Sequence, residues 1–186
     1  MDERTLLRTL TKVVNTLAGE GIGFAVAGGC AVYARGGPPS DHDVDVFLLE
    51  DDVEAAQKAL VDAGMRREEP PEDWLTKVYD GDVLVDLIFR PNYRSDMAEV
   101  LGRAEQLRVG SALARVVTAT DLMVDKLLVL NAHRCDFTPL LPIARDLREQ
   151  IDWARVAAET AESPYARSFL VLVEALSVAE VERSAT

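Results

Sequence analysis

Cysteine and histidine are scarce in this chain, with two of each among 186 residues. Cys30 and Cys135 lie far apart and neither belongs to a Cys-x-x-Cys pair, which argues against a structural zinc site. Both are expected as small buried residues. No continuous apolar run is long enough to span a membrane, so no membrane association is expected. Basic residues are outnumbered, 20 Lys and Arg against 32 Asp and Glu, for a net charge of -12. Non-specific grip on DNA or RNA needs a basic surface, and this composition does not supply one on average. A nucleotide delivered with magnesium fits the charge balance more easily. There is no internal repeat and no low-complexity linker. The first residues include Asp2 and Glu3 and show no secretory pattern, so cytoplasmic residence is the expectation.

What is present is a globular chain, 48% apolar, with a core to bury. Leu6, Leu7, Leu10, Val13, Val14 and Leu17 recur at helical spacing within residues 4–18. Residues 19–23, GEGIG, stop that helix, and Phe24 to Ala27 reads as a short strand. A helix over Cys30 to Ala34 follows and breaks at GGPPS, residues 36–40. The next strand carries Val44, Val46, Phe47, Leu48 and Leu49. Asp51 and Asp52 open a helix to about Ala63, where acidic groups suit the positive end. Trp74 to Val78 and Val83 to Phe89 flank Asp80-Gly81, a strong hairpin signal. Beyond these, residues 94–101 read as a helix and residues 113–117 as a weaker strand. Thr118 caps a further helix with Asp121 at the reciprocal position. One helix is expected from about residue 140 to 158. Another, opened by Ser163-Pro164, should run past Leu176. The fold class is therefore α/β (α+β): a small mixed sheet flanked by helices, then a mainly helical part. The expected division is an α/β core over residues 1–105 and a helical region over residues 106–186.

The chemistry concentrates in one stretch, AVAGGCAVYARGGPPSDHDVDVFLLEDD. On an extended strand Asp43 and Asp45 share one face, while His42, Val44 and Val46 face the other way. Paired carboxylates on an otherwise apolar strand must be solvated, ion-paired or bound to metal. Asp86 interrupts VLVDLIF, a second strand that otherwise looks buried. A neighbouring strand carrying Asp86 beside Asp43 and Asp45 would form a cluster of three carboxylates suited to Mg2+ or Mn2+. The alternatives are a loop cap by Asp41 and Asp43, and an ion pair of Asp86 with Arg90 or a distant arginine. Gly28 and Gly29 follow one strand and precede a helix, where small residues let phosphate oxygens approach backbone N–H groups. A plain tight turn is the competing reading. The pair belongs to neither a GxxxxGK[ST] loop nor GxGxxG.

GGCAVYARGGPPSDHDVDVF resembles the signature of the DNA polymerase β-like nucleotidyltransferase superfamily in its minimal bacterial forms, over about residues 22–90. The resemblance implies that Gly28 and Gly29 are the family's glycine pair. It implies too that Asp43 and Asp45 are its metal-binding pair and Asp86 its third carboxylate. The later stretch DLMVDKLLVLNAHRCDFTPLLPIARDL more loosely resembles the helical tail of nucleotidyltransferase toxins of toxin–antitoxin and abortive-infection systems, with Lys126 and Asp146 as counterparts. Many relatives carry Arg-x-Thr before the Asp-x-Asp strand; here those positions hold Pro39 and Asp41, and Arg35 is the substitute one turn upstream.

The reaction so implied is attack by a hydroxyl on the α-phosphorus of a nucleoside triphosphate, with pyrophosphate leaving. Asp43, Asp45 and Asp86 are the expected catalytic and metal-binding residues. Asp86 serves as metal ligand, as general base, or as both. Gly28, Gly29, Arg35, Lys77 and Lys126 are the expected nucleotide contacts, the two lysines alternatively being surface groups. His133 is expected on the same helix face as Lys126, seven residues on. Trp74 and Trp153 are expected in the core or at an interface. The acceptor is RNA or tRNA, a protein side chain or a small hydroxylated molecule. A nucleoside triphosphate is the expected co-substrate, ATP binding being one expected property and the preferred nucleotide left open; an antitoxin protein is a further expected partner, and the chain is a monomer or a homodimer. The competing function is a catalytically inactive nucleotide sensor or protein-binding member of a toxin–antitoxin pair.

Overall fold

The computed structural model describes residues 3–40, 43–91, 93, 94 and 96–180. They fall into two compact units, within Met1–Ala34 and Pro39–Val117 for the first, and within Arg35–Pro38 and Thr118–Thr186 for the second.

The first unit is built on a mixed seven-stranded sheet. Its strands are β1 (Phe24–Val26), β2 (Asp43–Leu48), β3 (Arg66–Glu68), β4 (Leu75–Asp80), β5 (Val83–Ile88), β6 (Glu105–Val109) and β7 (Ala112–Val116). Their order across the sheet is β3-β4-β5-β2-β1-β7-β6. Four helices accompany it: α1 (Glu3–Gly19), α2 (Gly28–Ala34), α3 (Val53–Asp62) and α4 (Met97–Arg103). Helix α1 buries the stripe set by its sequence period, Leu6, Leu10, Val13, Val14 and Leu17, because residues three and four apart share a helix face. The inward-facing strand residues Val44, Val46, Val78, Val85 and Leu87 are fully buried. Polar groups on that side are satisfied from the helices. Gln57 of α3 donates to the Thr76 hydroxyl, and Thr9 and Lys12 of α1 donate to the Asp80 carboxylate at 2.9 and 2.6 Å.

The expected hairpin at Asp80-Gly81 is present, with Asp80 paired to Val83 and Gly81 at φ 62. Strand β3, all of whose side chains are charged and exposed, was not expected; it adds an edge to β4. Residues 105–116 form a second hairpin of the first unit, whose β7 lies parallel to β1.

The second unit is helical: α5 (Ala119–Leu128), α6 (Leu140–Asp146), α7 (Trp153–Glu159) and α8 (Pro164–Ala175). Thr118 caps α5 as expected, accepting from the Asp121 amide and donating to its carboxylate. Ser163 caps α8, with Pro164 in the first turn. The single helix expected over residues 140–158 is instead two. Ile151 is extended, and Asp152 starts α7 by accepting from the Arg155 amide. Helix α8 stops at Ala175 rather than passing Leu176, because Ser177 turns left-handed at φ 54. Helix α5 ends at Leu128, so His133 does not share a helix face with Lys126 but lies in an exposed turn, its amide bonded to Asn131 Oδ1. Trp153 is a core residue whose indole donates to the Arg148 carbonyl. Among the described residues no helix is long and apolar enough to cross a membrane.

Candidate active site

Strands β2 and β5 run parallel, with Asp43 paired to Leu84 and Asp45 to Asp86. Side chains of paired residues point to the same face of a sheet, and residues two apart on one strand do as well. Asp45 and Asp86 therefore stand side by side, and Asp43 stands next to Asp45 on the same face. One carboxylate oxygen from each of the three lies within 4.8 Å of the others. All three residues are half-buried. This juxtaposition comes from the register, since Val44 and Val46 must face the apolar side.

The cluster is electrostatically unfavourable by itself. Asp86 Oδ1 is buried and finds no hydrogen-bond partner. Burial pushes the Asp86 carboxyl up to about 6 against the pull of the Lys77 ammonium, with the Asp43 and Glu72 charges adding to the rise. Close, hard, anionic oxygens with one orphaned buried atom are the donor set that a divalent cation such as Mg2+ satisfies. Glu72 was hidden in the sequence as one acid of the polar loop REEPPED. Its Oε2 is also buried and without a hydrogen bond.

Gly28 is explained by these aspartates, and Gly29 by Ser40. Gly28 adopts φ +54, and a Cβ there would overlap the Asp45 carboxylate and lie 2.9 Å from Asp45 Cβ. A Cβ on Gly29 would overlap the Ser40 hydroxyl and lie 2.7 Å from Ser40 Cβ. The Ala27 amide donates to the Asp45 carbonyl at 2.9 Å, which fixes the start of α2 against β2. Cys30 sits behind the cluster, its thiol directed at the Asp43 carbonyl at 3.5 Å. Burial, with the Asp45 and Asp43 charges, pushes that thiol up to about 12, leaving it inert as a nucleophile. Cys135, by contrast with the expectation, is exposed.

Asp43, Asp45, Asp86, Gly28 and Lys77 thus share one region of the first unit, Lys77 being the register partner of Asp86 on β4. Arg35 and Lys126 belong to the second unit. There the Arg35 guanidinium donates to Gln150 Oε1, and Gln150 donates back to the Arg35 carbonyl at 2.9 Å. Lys126 occupies the last turn of α5 and is half-buried. Asp146 ends α6 and is exposed. Asp41 and His42 lie outside the described residues. Arg90 does not pair with Asp86; it bonds Glu50 and Asp73.

A mixed sheet of this order, with carboxylates on paired parallel strands beside a glycine-led helix, is a nucleotidyltransferase-like fold carrying a cluster compatible with a divalent cation. The chain belongs to the family described as "Uncharacterised nucleotidyltransferase", whose model matches residues 1–177. No curated protein sequence gives a significant match. Solved structures show the same fold at low identity. ANT(2'')-Ia in complex with adenylyl-2''-tobramycin is 14% identical, with a TM-score of 0.54 covering 93% of this chain and 99% of that one. The lincomycin-bound lincosamide antibiotic adenylyltransferase LnuA is 10% identical, with a TM-score of 0.54 over 73% and 92%. An antigenic nucleotidyltransferase-like protein from Paracoccidioides brasiliensis is 16% identical, with a TM-score of 0.53 over 97% and 95%.

Proposed function

We propose that this protein is a metal-dependent nucleotidyltransferase that moves a nucleoside monophosphate from a nucleoside triphosphate onto a hydroxyl of a small acceptor. The observation that carries the reading is the Asp45–Asp86 register pair with Asp43 beside it, three carboxylates within 4.8 Å of one another. Asp43, Asp45 and Asp86 would hold Mg2+, or Mn2+ in its place. When bound, the cation supplies Lewis acidity toward phosphate oxygens and acidifies the acceptor hydroxyl. Asp86, whose carboxyl burial raises to about 6 in the metal-free site, is the carboxylate of the three suited to take a proton. The acceptor oxygen forms a bond to the α-phosphorus, the bond from that phosphorus to the bridging oxygen breaks, and pyrophosphate leaves. The acceptor proton passes to Asp86. Lys77, the register partner of Asp86, would meet phosphate charge, and Gly28 keeps the α2 start open so that Asp45 can occupy its position.

A small acceptor is favoured over RNA by the arginines. Arg90 is committed to Glu50 and Asp73, Arg103 to Glu99, Arg66 to Glu68 and Arg67 to Glu69. Together with the chain's net charge of -12, these pairs weigh against a phosphate backbone as the acceptor. Tobramycin and lincomycin, named with the similar structures, are small hydroxylated molecules of this class.

The test is label transfer. Each α-labelled nucleoside triphosphate is incubated with the protein, Mg2+ or Mn2+, and either total RNA or a panel of hydroxylated small molecules. The D43A/D45A variant runs in parallel. Label on a small molecule that requires the carboxylates is the expected result and names the nucleotide. Label on RNA would replace the acceptor class. Absence of both transfer and metal-dependent nucleotide binding would leave the fold as a protein-binding scaffold; binding alone would make it a sensor.

A further inference from the structure

Four charged residues form a row across adjacent strands: Glu68 on β3, Lys77 on β4, Asp86 on β5 and Asp45 on β2. Lys77 is the cation of that row. Glu68, its neighbour on one side, is bound to Arg66 at 3.2 Å. On the other side stands Asp86, whose Oδ1 has no hydrogen-bond partner. Lys77 is half-buried, and its ammonium makes no hydrogen bond or ion pair among the described residues. Its ammonium acts on Asp86 through space, opposing the effect of burial.

A lysine so placed cannot be neutral toward what enters the site. A bare divalent cation approaching Asp43, Asp45 and Asp86 meets a fixed positive charge on the next strand. A divalent cation already chelated by a triphosphate carries net negative charge and is attracted by the same group. The two species therefore feel Lys77 with opposite signs.

We propose that Lys77 sets how the site is loaded, disfavouring the free divalent cation and favouring the cation–triphosphate complex, so that metal and nucleotide enter together. This rests on the nucleotidyltransferase reading above and adds to it an order of binding that needs no acceptor to be known.

The experiment is calorimetric titration of the full chain, first stripped with EDTA and dialysed. The titrants are Mn2+ alone and Mn2+ with α,β-methylene-ATP, which cannot release pyrophosphate. The variants are Lys77→Met, which keeps length and removes charge, and Lys77→Arg, which keeps charge. Melting curves establish that each is folded. Lys77→Met should bind Mn2+ alone roughly threefold to tenfold more tightly. It should bind the Mn2+–analogue complex more weakly by a similar factor, and Lys77→Arg should match the wild type in both titrations. Both affinities moving in one direction, or either failing to move in Lys77→Met, overturns the proposal while leaving the metal site standing. Wild-type protein that binds neither titrant, as the Asp45→Asn control is expected to do, overturns the proposal together with the reading beneath it.

Discussion

Replacing Asp86 by asparagine isolates the electrostatic cost of the candidate site. The Asp86 carboxyl rises from the ordinary 3.8 to about 6, chiefly because it is buried. Between those values the native state holds more protons than the unfolded chain, so metal-free stability falls as pH rises. A shift of that size would correspond to about 3 kcal/mol for a fully enclosed group. Asp86 is only half-buried, and solvent screening reduces the effect to about 1 kcal/mol. For a chain of this length that is about 2–4 °C in melting temperature. D86N in EDTA at pH 7.5 should therefore melt above the wild type by that amount, and the gap should close by about pH 4, where the native aspartate is protonated. Added Mn2+ should raise the melting temperature of the wild type and leave D86N almost unmoved. Scanning calorimetry at four pH values, with and without Mn2+, measures all of this. A D86N protein that melts lower than the wild type at pH 7.5, or a gap that persists unchanged at pH 4, would refute the reasoning. The first would mean that the fold stabilises the Asp86 carboxylate, and the second that the difference does not arise from its ionisation.

Three further outcomes follow from particular contacts. Gly28→Ala places a Cβ into Asp45 on a backbone at φ +54, whereas Gly21→Ala, at φ +69, meets nothing within 4 Å. Both should lose about 1–2 kcal/mol to left-handed strain, but only Gly28→Ala should also weaken Mn2+ binding, by at least tenfold, in the same titration. Under native conditions an aromatic disulfide reagent should label Cys135, which is exposed, and spare Cys30, whose thiol is held near 12; Cys135→Ser should abolish rapid labelling. In the second unit, fully buried Asp121 holds Arg155 and the Thr118 hydroxyl. Asp121→Ala should cost roughly 2–4 kcal/mol in urea unfolding by stripping Arg155 of its buried partner. Thr118→Ala should cost about 1 kcal/mol as a lost cap.

Parts of this architecture were legible because they rest on local rules. Alternation placed Asp43 and Asp45 on one face of a strand. Asp86 stood out because a lone charge inside VLVDLIF is expensive unless something compensates it. The caps at Thr118 and Ser163 and the Asp80-Gly81 turn were visible for the same reason, since each depends on residues a few positions apart. What escaped depends on pairing at a distance or on the fine conformation of one residue. Strand β3, Arg66–Glu68, has no apolar alternation and is a strand only because β4 offers it an edge. The break between α6 and α7 hangs on the extended backbone of Ile151. Glu72 looked like any loop acid, and only packing buries its Oε2.

The glycine pair shows how such distant pairing changes the meaning of a motif. As sequence, Gly-Gly before a helix offers either room for a phosphate or a plain tight turn. In the structure the space above Gly28 is filled by Asp45, and that above Gly29 by Ser40. Gly28 is thus required by the carboxylate cluster itself: any side chain there would expel Asp45 from its place beside Asp86. The glycine and the Asp-x-Asp pair, seventeen positions apart at Gly28 and Asp45, are one constraint rather than two. Two residues that must exclude and accommodate each other co-occur even when neither touches a ligand. The spacing therefore carries information about the metal-binding face before it carries any about the nucleotide. On this argument, a Gly28→Ala chain should lose Mn2+ binding because the new Cβ displaces Asp45, a ligand of the proposed site. Binding should not recover when the nucleotide concentration is raised, and titration at increasing nucleotide measures that.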